Sequence, residues 1–232
     1  MIIILKRMKH FKGRYKDSEI RDDVTMKIRK KKNNSVLKRI VDVIISGIGL
    51  IILFPVFVII GILIKLDSKG PVFFVQERVG KDGKVFRIYK LRTMVVNPEN
   101  MGKGLKRNDP RITRVGRYLR WGIDELPQLI NVIKGDMSLV GPRSTLQEQV
   151  VRYSEEHRRR LEVKPGITGW ALINGRNVLS WPEKIELDIW YINHWSLWLD
   201  LKILFKTIWI VIFKREGIYG KDGVNTGYPE DK

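Results

Sequence analysis

The stretch Val43 to Ile64, VIISGIGLIILFPVFVIIGILI, runs for 22 residues without a charge. That is the length a helix needs to cross the hydrocarbon core of a bilayer, about 30 Å thick. Pro55 stands near its middle, lacks an amide proton and presses its ring on the preceding turn, so the helix is expected to kink or break there. Lys38 and Arg39 flank one end and Lys65 the other, so basic charge does not mark one end as inside. Two half-helices bent at Pro55, entering and leaving by the same membrane face, satisfy both observations. An ordinary kinked span and a buried core helix are the alternatives, since prolines also occur in true spans.

At 232 residues the chain is long enough for one domain with a proper core and short for two. Its 44 Lys and Arg against 25 Asp and Glu, a net charge of +19, call for an anionic neighbour. Nucleic acid, an anionic lipid surface and a phosphorylated substrate all qualify. The absence of cysteine removes disulfides, thiolate nucleophiles and Cys-based zinc sites together, and is compatible with a cytoplasm-facing domain. His10, His157 and His194 are too scattered to suggest a metal cluster, which leaves carboxylates to carry any chemistry. Residues 1–37 read as a basic, solvated and mobile arm ending in KIRKKKNN. Its MIIIL run is too short for a signal peptide, and no small-residue cleavage site follows.

Past the apolar segment, taken as 38–66, the chain reads as a soluble body over 67–216 and a tail over 217–232. Alternation in PVFFVQERV and KVFRIYKL around KDGK predicts a β-hairpin, and residues 97–109 read as a polar loop. In RITRVGRYLR, Arg111, Arg114, Arg117 and Arg120 recur every third residue. That is an amphipathic pattern whose basic stripe suits phosphate headgroups or a solvated face. Leu126, Leu129, Ile130 and Ile133 predict a helix over about 125–134 stopped by Gly135. A charged helical stretch follows near 145–162, then the glycine-shaped loop KPGITGWALINGRN. WSLWLDLKILFKTIWIVIFKR reads as an interfacial helix with tryptophans at headgroup depth.

Asp124 and Glu125 open the predicted helix at 125–134. Asp is a preferred N-cap, Glu suits a first turn and Pro127 is tolerated that early, so capping explains the pair when taken alone. Arg120 upstream and Arg143 downstream shift the weight, because a helix start beside arginines attracts phosphate. An aspartate with an ordinary pKa of about 3.9 is ionised at neutral pH and can attack phosphorus without a histidine. Attack on a diphosphate by an anion calls for Mg²⁺ and arginines to offset repulsion, with Glu125 and Asp124 as metal ligands.

KRIVD, GPVFFVQERVGKDGKVFRIYKLRTM, DELPQLINVIKGDMSLVGPR, KPGITGWALINGRN and ELDIWYINHWSLWLDLKIL together resemble the small monotopic phosphoglycosyl transferases, the bacterial sugar transferase family. The resemblance covers roughly Lys38 to Lys214. It implies an α+β, membrane-associated fold: a re-entrant helix hinged at Pro55 and a catalytic body on the cytoplasmic face of a bacterial inner membrane. It also implies transfer of a sugar phosphate from a UDP-sugar to polyprenyl phosphate. Asp124 would be the nucleophile that releases UMP, Glu125 the Mg²⁺ ligand and Arg143 a phosphate holder. Lys90, Arg92, Arg176 and Asn177 are further candidates for diphosphate or nucleotide contacts, while Glu77 and Arg78 read equally as an internal ion pair. Downstream glycosyltransferases are candidate partners, and oligomeric state is open.

The sequence departs from the family's pattern at Phe54, where Ser is common before the hinge proline. Ser144 stands where Pro is common and Leu172 where Gln is, which bears on substrate-loop shape and sugar preference. A basic nucleic-acid-binding protein leaves the apolar segment unexplained and shows no recognition motif. A silent membrane-anchored scaffold is the other rival, with the carboxylate pair serving only as a cap.

Overall fold

The computed structural model describes residues 17–101 and 109–214, with backbone alone for 17–34, 99, 100 and 214. The chain divides after Ile40 into two units, and the architecture below concerns the second, from Val41 on. The expected tail over 217–232 and the first 16 residues of the expected arm lie outside the described residues. From Asp17 the arm is helical: α1 runs Asp17–Asp67, including the 18 residues preceding Ser35.

Within α1, Ser35–Asp67 has a mean hydropathy of 3.0 at its most apolar window, and only 6% of that window is buried. A core helix of a soluble protein would be covered, so this one is built to meet something other than water. Asp42, Ser46, Leu50, Leu53, Phe57, Ile60 and Ile64 repeat at three and four residues along one stripe turned to the rest of the unit. Ile44, Ile48, Ile51, Ile52, Phe54, Ile59 and Ile62 are exposed. The helix continues through Pro55, so the expected break is not seen. The proline ring sits on the exposed side, where it meets no packed neighbour, and a long helix tolerates one missing amide bond.

The antiparallel hairpin forms as the alternation predicted: β1 (Phe73–Val79) pairs with β2 (Val85–Leu91), Phe73 opposite Leu91 and Glu77 opposite Arg87. Asp82 and Gly83 make the turn at φ +56° and +76°, which the KDGK sequence permits. The basic stripe over 111–120 does not form. Only Arg114–Leu119 is helical (α2), while Arg111 is buried in an ion pair with Asp109 at 2.6 Å. Thr113 caps α2 through Gly116 N–H, so the helix starts too late to carry Arg111 on its face.

A 3-10 turn, Ile123–Gln128, leads into α3 (Leu129–Lys134), which ends at left-handed Gly135 as predicted. The parallel strands β3 (Ser138–Val140) and β4 (Gly166–Thr168) lie at the centre. The single charged helix expected over 145–162 is instead α4 (Gln147–Val151), α5 (Glu155–Arg158) and a 3-10 turn, Arg159–Glu162. Ser154 starts α5 by capping His157 N–H, which interrupts the run. After α6 (Trp170–Ile173), α7 (Trp181–His194) and α8 (Leu197–Trp209) close the unit, and α8 continues into a wider turn over Ile210–Lys214. Ile88, Val132, Met137, Val140, Ile173, Tyr191 and Ile203 form the main core between hairpin, α3, β3 and the last two helices. On α8, Asp200 and Ile203 turn inward, while Trp198, Phe205 and Trp209 are bare to solvent. Asp200 accepts from Tyr191 Oη at 2.6 Å and Trp195 Nε1 at 3.0 Å, so that charge is part of the interior rather than of a wet face.

Candidate active site

Three segments far apart in sequence meet at Glu125. Gly122, at φ +118°, turns the chain so that the 3-10 turn carries Asp124 and Glu125 in its first residues. Glu125 then meets the end of the hairpin: Lys90 Nζ donates to its Oε1 at 2.7 Å. Arg143 grips the same carboxylate with both terminal nitrogens, Nη2 to Oε1 at 2.6 Å and Nη1 to Oε2 at 3.2 Å. Burial pushes the Glu125 carboxyl up, but Arg143 and then Lys90 outweigh it and hold the group well below the usual carboxylate range.

Asp124 behaves differently. It does not act as the N-cap, a position held by Gly122 without any side-chain bond, so the capping explanation fails. Among the described residues no hydrogen bond or ion pair engages its carboxylate. Burial first, and the neighbouring Glu125 second, push its pKa up to about 6 against the pull of Lys90, Arg120 and Arg143. Two adjacent carboxylates thus diverge: one is neutralised by two cations, the other is left with unused oxygens and raised basicity. At pH 7 a group titrating near 6 is still about nine-tenths ionised. Such a pair suits a positioned nucleophile beside a fixed charge.

The surroundings hold this geometry in place. Asn131 on α3 is fully buried and ties the helix to the hairpin, donating to Arg87 C=O at 2.7 Å and accepting from Tyr89 N–H at 3.2 Å. That fixes Lys90, the next residue on β2, against Glu125. Arg143 is set by a crossing of backbones: Gly166 N–H donates to Pro142 C=O, and Gly141 N–H to Thr168 C=O, both at 2.9 Å. A Cβ at Gly166 would lie 2.1 Å from Gly141 N, so the loops GPRS and KPGITG approach this closely only through glycine. Arg160 braces the same loop, donating to Arg143 C=O at 3.2 Å and to Tyr153 Oη at 2.5 Å while paired with buried Asp188 at 2.6 Å.

Of the residues named from sequence, Asp124, Glu125, Lys90 and Arg143 come together. Arg176 lies within their field: burial and Arg143 pull its pKa down while Glu125 and Asp124 pull it up. It adopts φ +52° at the start of a short turn, Arg176–Val178, that also carries Asn177. Arg92 goes elsewhere. Its guanidinium is buried, donating to Lys69 C=O at 2.5 Å and Ser68 C=O at 2.7 Å, where it caps the end of α1. Glu77 pairs across the hairpin with Arg87 at 3.6 Å rather than with Arg78, because adjacent strand residues face opposite sides. Lys38 and Arg39 lie on α1 ahead of Asp42, and Pro55 in its exposed apolar part. Sequence reasoning did not single out Asn131, Arg160 or Asp188. The signal was present for Asp188, a charge spaced three residues from both Ile185 and Tyr191 on the buried stripe of α7.

Known proteins resemble this chain over most of its length. The family described as bacterial sugar transferase matches residues 33–214. A Bacillus subtilis (strain 168) protein named uncharacterized sugar transferase EpsL is 49% identical over 189 residues, which are 79% of this chain and 90% of that protein. The undecaprenyl-phosphate galactose phosphotransferase of Salmonella typhimurium is 40% identical over 206 residues, 82% of this chain and 43% of its own length. The UDP-glucose:undecaprenyl-phosphate glucose-1-phosphate transferase of Escherichia coli K12 is 43% identical over 189 residues, 75% of this chain and 40% of its own. The chain therefore spans less than half the length of the latter two relatives. With the match extending from within α1 through the carboxylate pair to the end of the described structure, this chain belongs to the bacterial sugar transferase family.

Proposed function

We propose that this protein transfers a sugar-1-phosphate from a UDP-sugar to a polyprenyl phosphate such as undecaprenyl phosphate, releasing UMP. The single observation that carries the reading is the asymmetry of the acidic pair: Glu125 is gripped by Lys90 and Arg143, while the Asp124 carboxylate beside it has no partner among the described residues. The names of the Salmonella and Escherichia relatives point to the same substrate class. In the first step an Asp124 oxygen attacks the β-phosphorus, the bond from that phosphorus to the bridging oxygen breaks, and UMP leaves with the bridging oxygen. The sugar phosphate stays esterified to Asp124. In the second step a phosphate oxygen of the lipid attacks the same phosphorus and frees the carboxylate, giving a polyprenyl diphosphate sugar. Such a product begins a polysaccharide or glycoconjugate chain, which glycosyltransferases would extend.

Arg143, Lys90 and Arg176 supply positive charge around the phosphoryl group, and Asn177 sits beside Arg176 to contact the nucleotide. Asp124 and Glu125 suit Mg²⁺, being adjacent hard oxygen donors, one of them with free lone pairs. No group of three or more acidic or histidine side chains accompanies them among the described residues, so phosphate oxygens and water would complete the shell. A bound Mg²⁺ would neutralise charge on the diphosphate.

The exposed faces of α1 and α8 belong in lipid in this reading, with the site at the cytoplasmic surface of the inner membrane. Pro55, the one point of α1 without an amide donor, is where the helix would bend to re-enter. The reading is tested by incubating detergent-solubilised protein with Mg²⁺, polyprenyl phosphate and a panel of UDP-sugars. UMP is the expected nucleotide product, with UMP close to one per enzyme when lipid is omitted. Release of UDP, or full turnover by Asp124→Asn, contradicts it and leaves the scaffold explanation standing.

A further inference from the structure

We propose that Arg78, to which nothing above gives a role, is the third cation of an anion subsite next to Glu125 and binds a phosphate oxygen of a substrate; the inference deepens the phosphoryl-transfer reading and rests on it. Arg78 enters the site because of the hairpin's alternation. Glu77 faces outward to Arg87, so Arg78 faces the opposite side. The backbone bond from Val79 N–H to Thr145 C=O, 2.9 Å long, then stitches this end of β1 to the loop that carries Arg143. The result is a recess lined by Arg78, Lys90, Glu125, Gln128, Arg143 and Ser144 among others.

Three cations line that recess against one carboxylate, and Glu125 is already held by Lys90 and Arg143. Arg78 is left with the neutral Gln76, to which Nη2 donates at 2.7 Å. Its Nε is buried and has no hydrogen-bond partner. A buried, unpartnered N–H on a half-buried cation is costly, and a second guanidinium nearby raises the cost. Burial and then Arg143 accordingly pull the Arg78 pKa down to about 10, which still leaves it charged at neutral pH. A polar recess with surplus positive charge, and an unused donor on one of the cations that line it, fits an oxyanion, and phosphate is the group on both proposed substrates. The two sources are the diphosphate of the nucleotide sugar and the phosphate of the lipid.

The test uses the full chain in detergent with Arg78→Gln and Arg78→Lys, each alone and combined with Asp124→Asn. UMP binding is measured by calorimetry in the Asp124→Asn background, where no covalent step intervenes. KM values for UDP-sugar and polyprenyl phosphate are measured in the otherwise native enzyme. Arg78→Gln is expected to weaken UMP binding or raise one KM tenfold or more, with Arg78→Lys recovering part of the loss. Weakened UMP binding and a raised UDP-sugar KM assign the nucleotide phosphates; a raised lipid KM with UMP binding intact assigns the lipid. Should Arg78→Gln not fold, Arg78→Lys keeps the charge but loses the planar fork and is expected to cost at least threefold in one of the same readings. Wild-type UMP affinity and unchanged KM values in the folded variant overturn the proposal, even if its thermal midpoint falls. An enzyme that releases no UMP from any UDP-sugar yet binds UMP through Arg78 would refute the reaction and leave the anion subsite standing.

Discussion

Replacing Asp124 by Asn is predicted to make the protein more stable at pH 8 and to leave its stability unchanged at pH 4. In the unfolded chain this carboxyl titrates near its ordinary 3.8, whereas in the folded protein burial and Glu125 move it up to about 6. Between those values the folded form binds more protons than the unfolded form, so stability falls as pH rises. The penalty is absent below about pH 4 and complete above about pH 7. That gap corresponds to roughly 3 kcal/mol. Asp124 is only half-buried, and solvent screening reduces the figure to about 1–2 kcal/mol. For a domain of this size the shift in thermal midpoint is then about 2–8 °C. Asparagine keeps the shape and removes the charge. Tryptophan fluorescence followed during heating in detergent, at both pH values, measures the effect. A lower midpoint for the variant at pH 8, or an equal gain at pH 4 and pH 8, refutes the claim that a half-buried, unneutralised charge sits at position 124. Instability stored at the proposed nucleophile is the pattern expected where function and stability compete.

The same titration sets the acid limb of the reaction. If, as proposed, the ionised form attacks, UMP release without lipid is expected to be half-maximal near pH 6 and to fall about tenfold per unit below it, and a midpoint near 4 contradicts this. Arg143→Lys is expected to lower turnover at least tenfold, because a single ammonium cannot reproduce the two-pronged grip on Glu125; near-native turnover would count against that grip. Asn131→Ala leaves Tyr89 N–H and Arg87 C=O without their buried partner and is expected to cost about 2–4 kcal/mol in denaturant unfolding. A change below about 0.5 kcal/mol would show that the helix and hairpin are held by other contacts.

The parts of this protein legible in its sequence are those with a local cause. The hairpin is written in alternation and an Asp-Gly turn, and the end of α3 in Gly135. Asp124, Glu125 and Arg143 were legible because motifs of that specificity resemble one family. Where several local signals compete, the pattern misled. The arginine repeat over 111–120 was read as a helix face, but Asp109 captures Arg111 and the Thr113 cap delays the helix. Ser154 similarly divides what composition presents as one charged helix. Lys90 and Arg92 looked alike on paper, two residues apart, though only Lys90 lies on β2 and Arg92 follows its end. Their difference comes from tertiary structure: the carbonyls at the end of α1 lie within reach of Arg92, and Glu125 within reach of Lys90. Asn131 had no signal beyond helical spacing, because its partners are backbone groups of a strand more than forty residues earlier.

The most direct measurement is intact-protein mass spectrometry after mixing the enzyme with Mg²⁺ and a UDP-sugar it uses, with no polyprenyl phosphate present. A gain equal to one sugar phosphate, mapped to the peptide containing Asp124 and discharged when lipid phosphate is added, is the predicted result. UMP release with no added mass, or a gain mapped to another side chain, would contradict it.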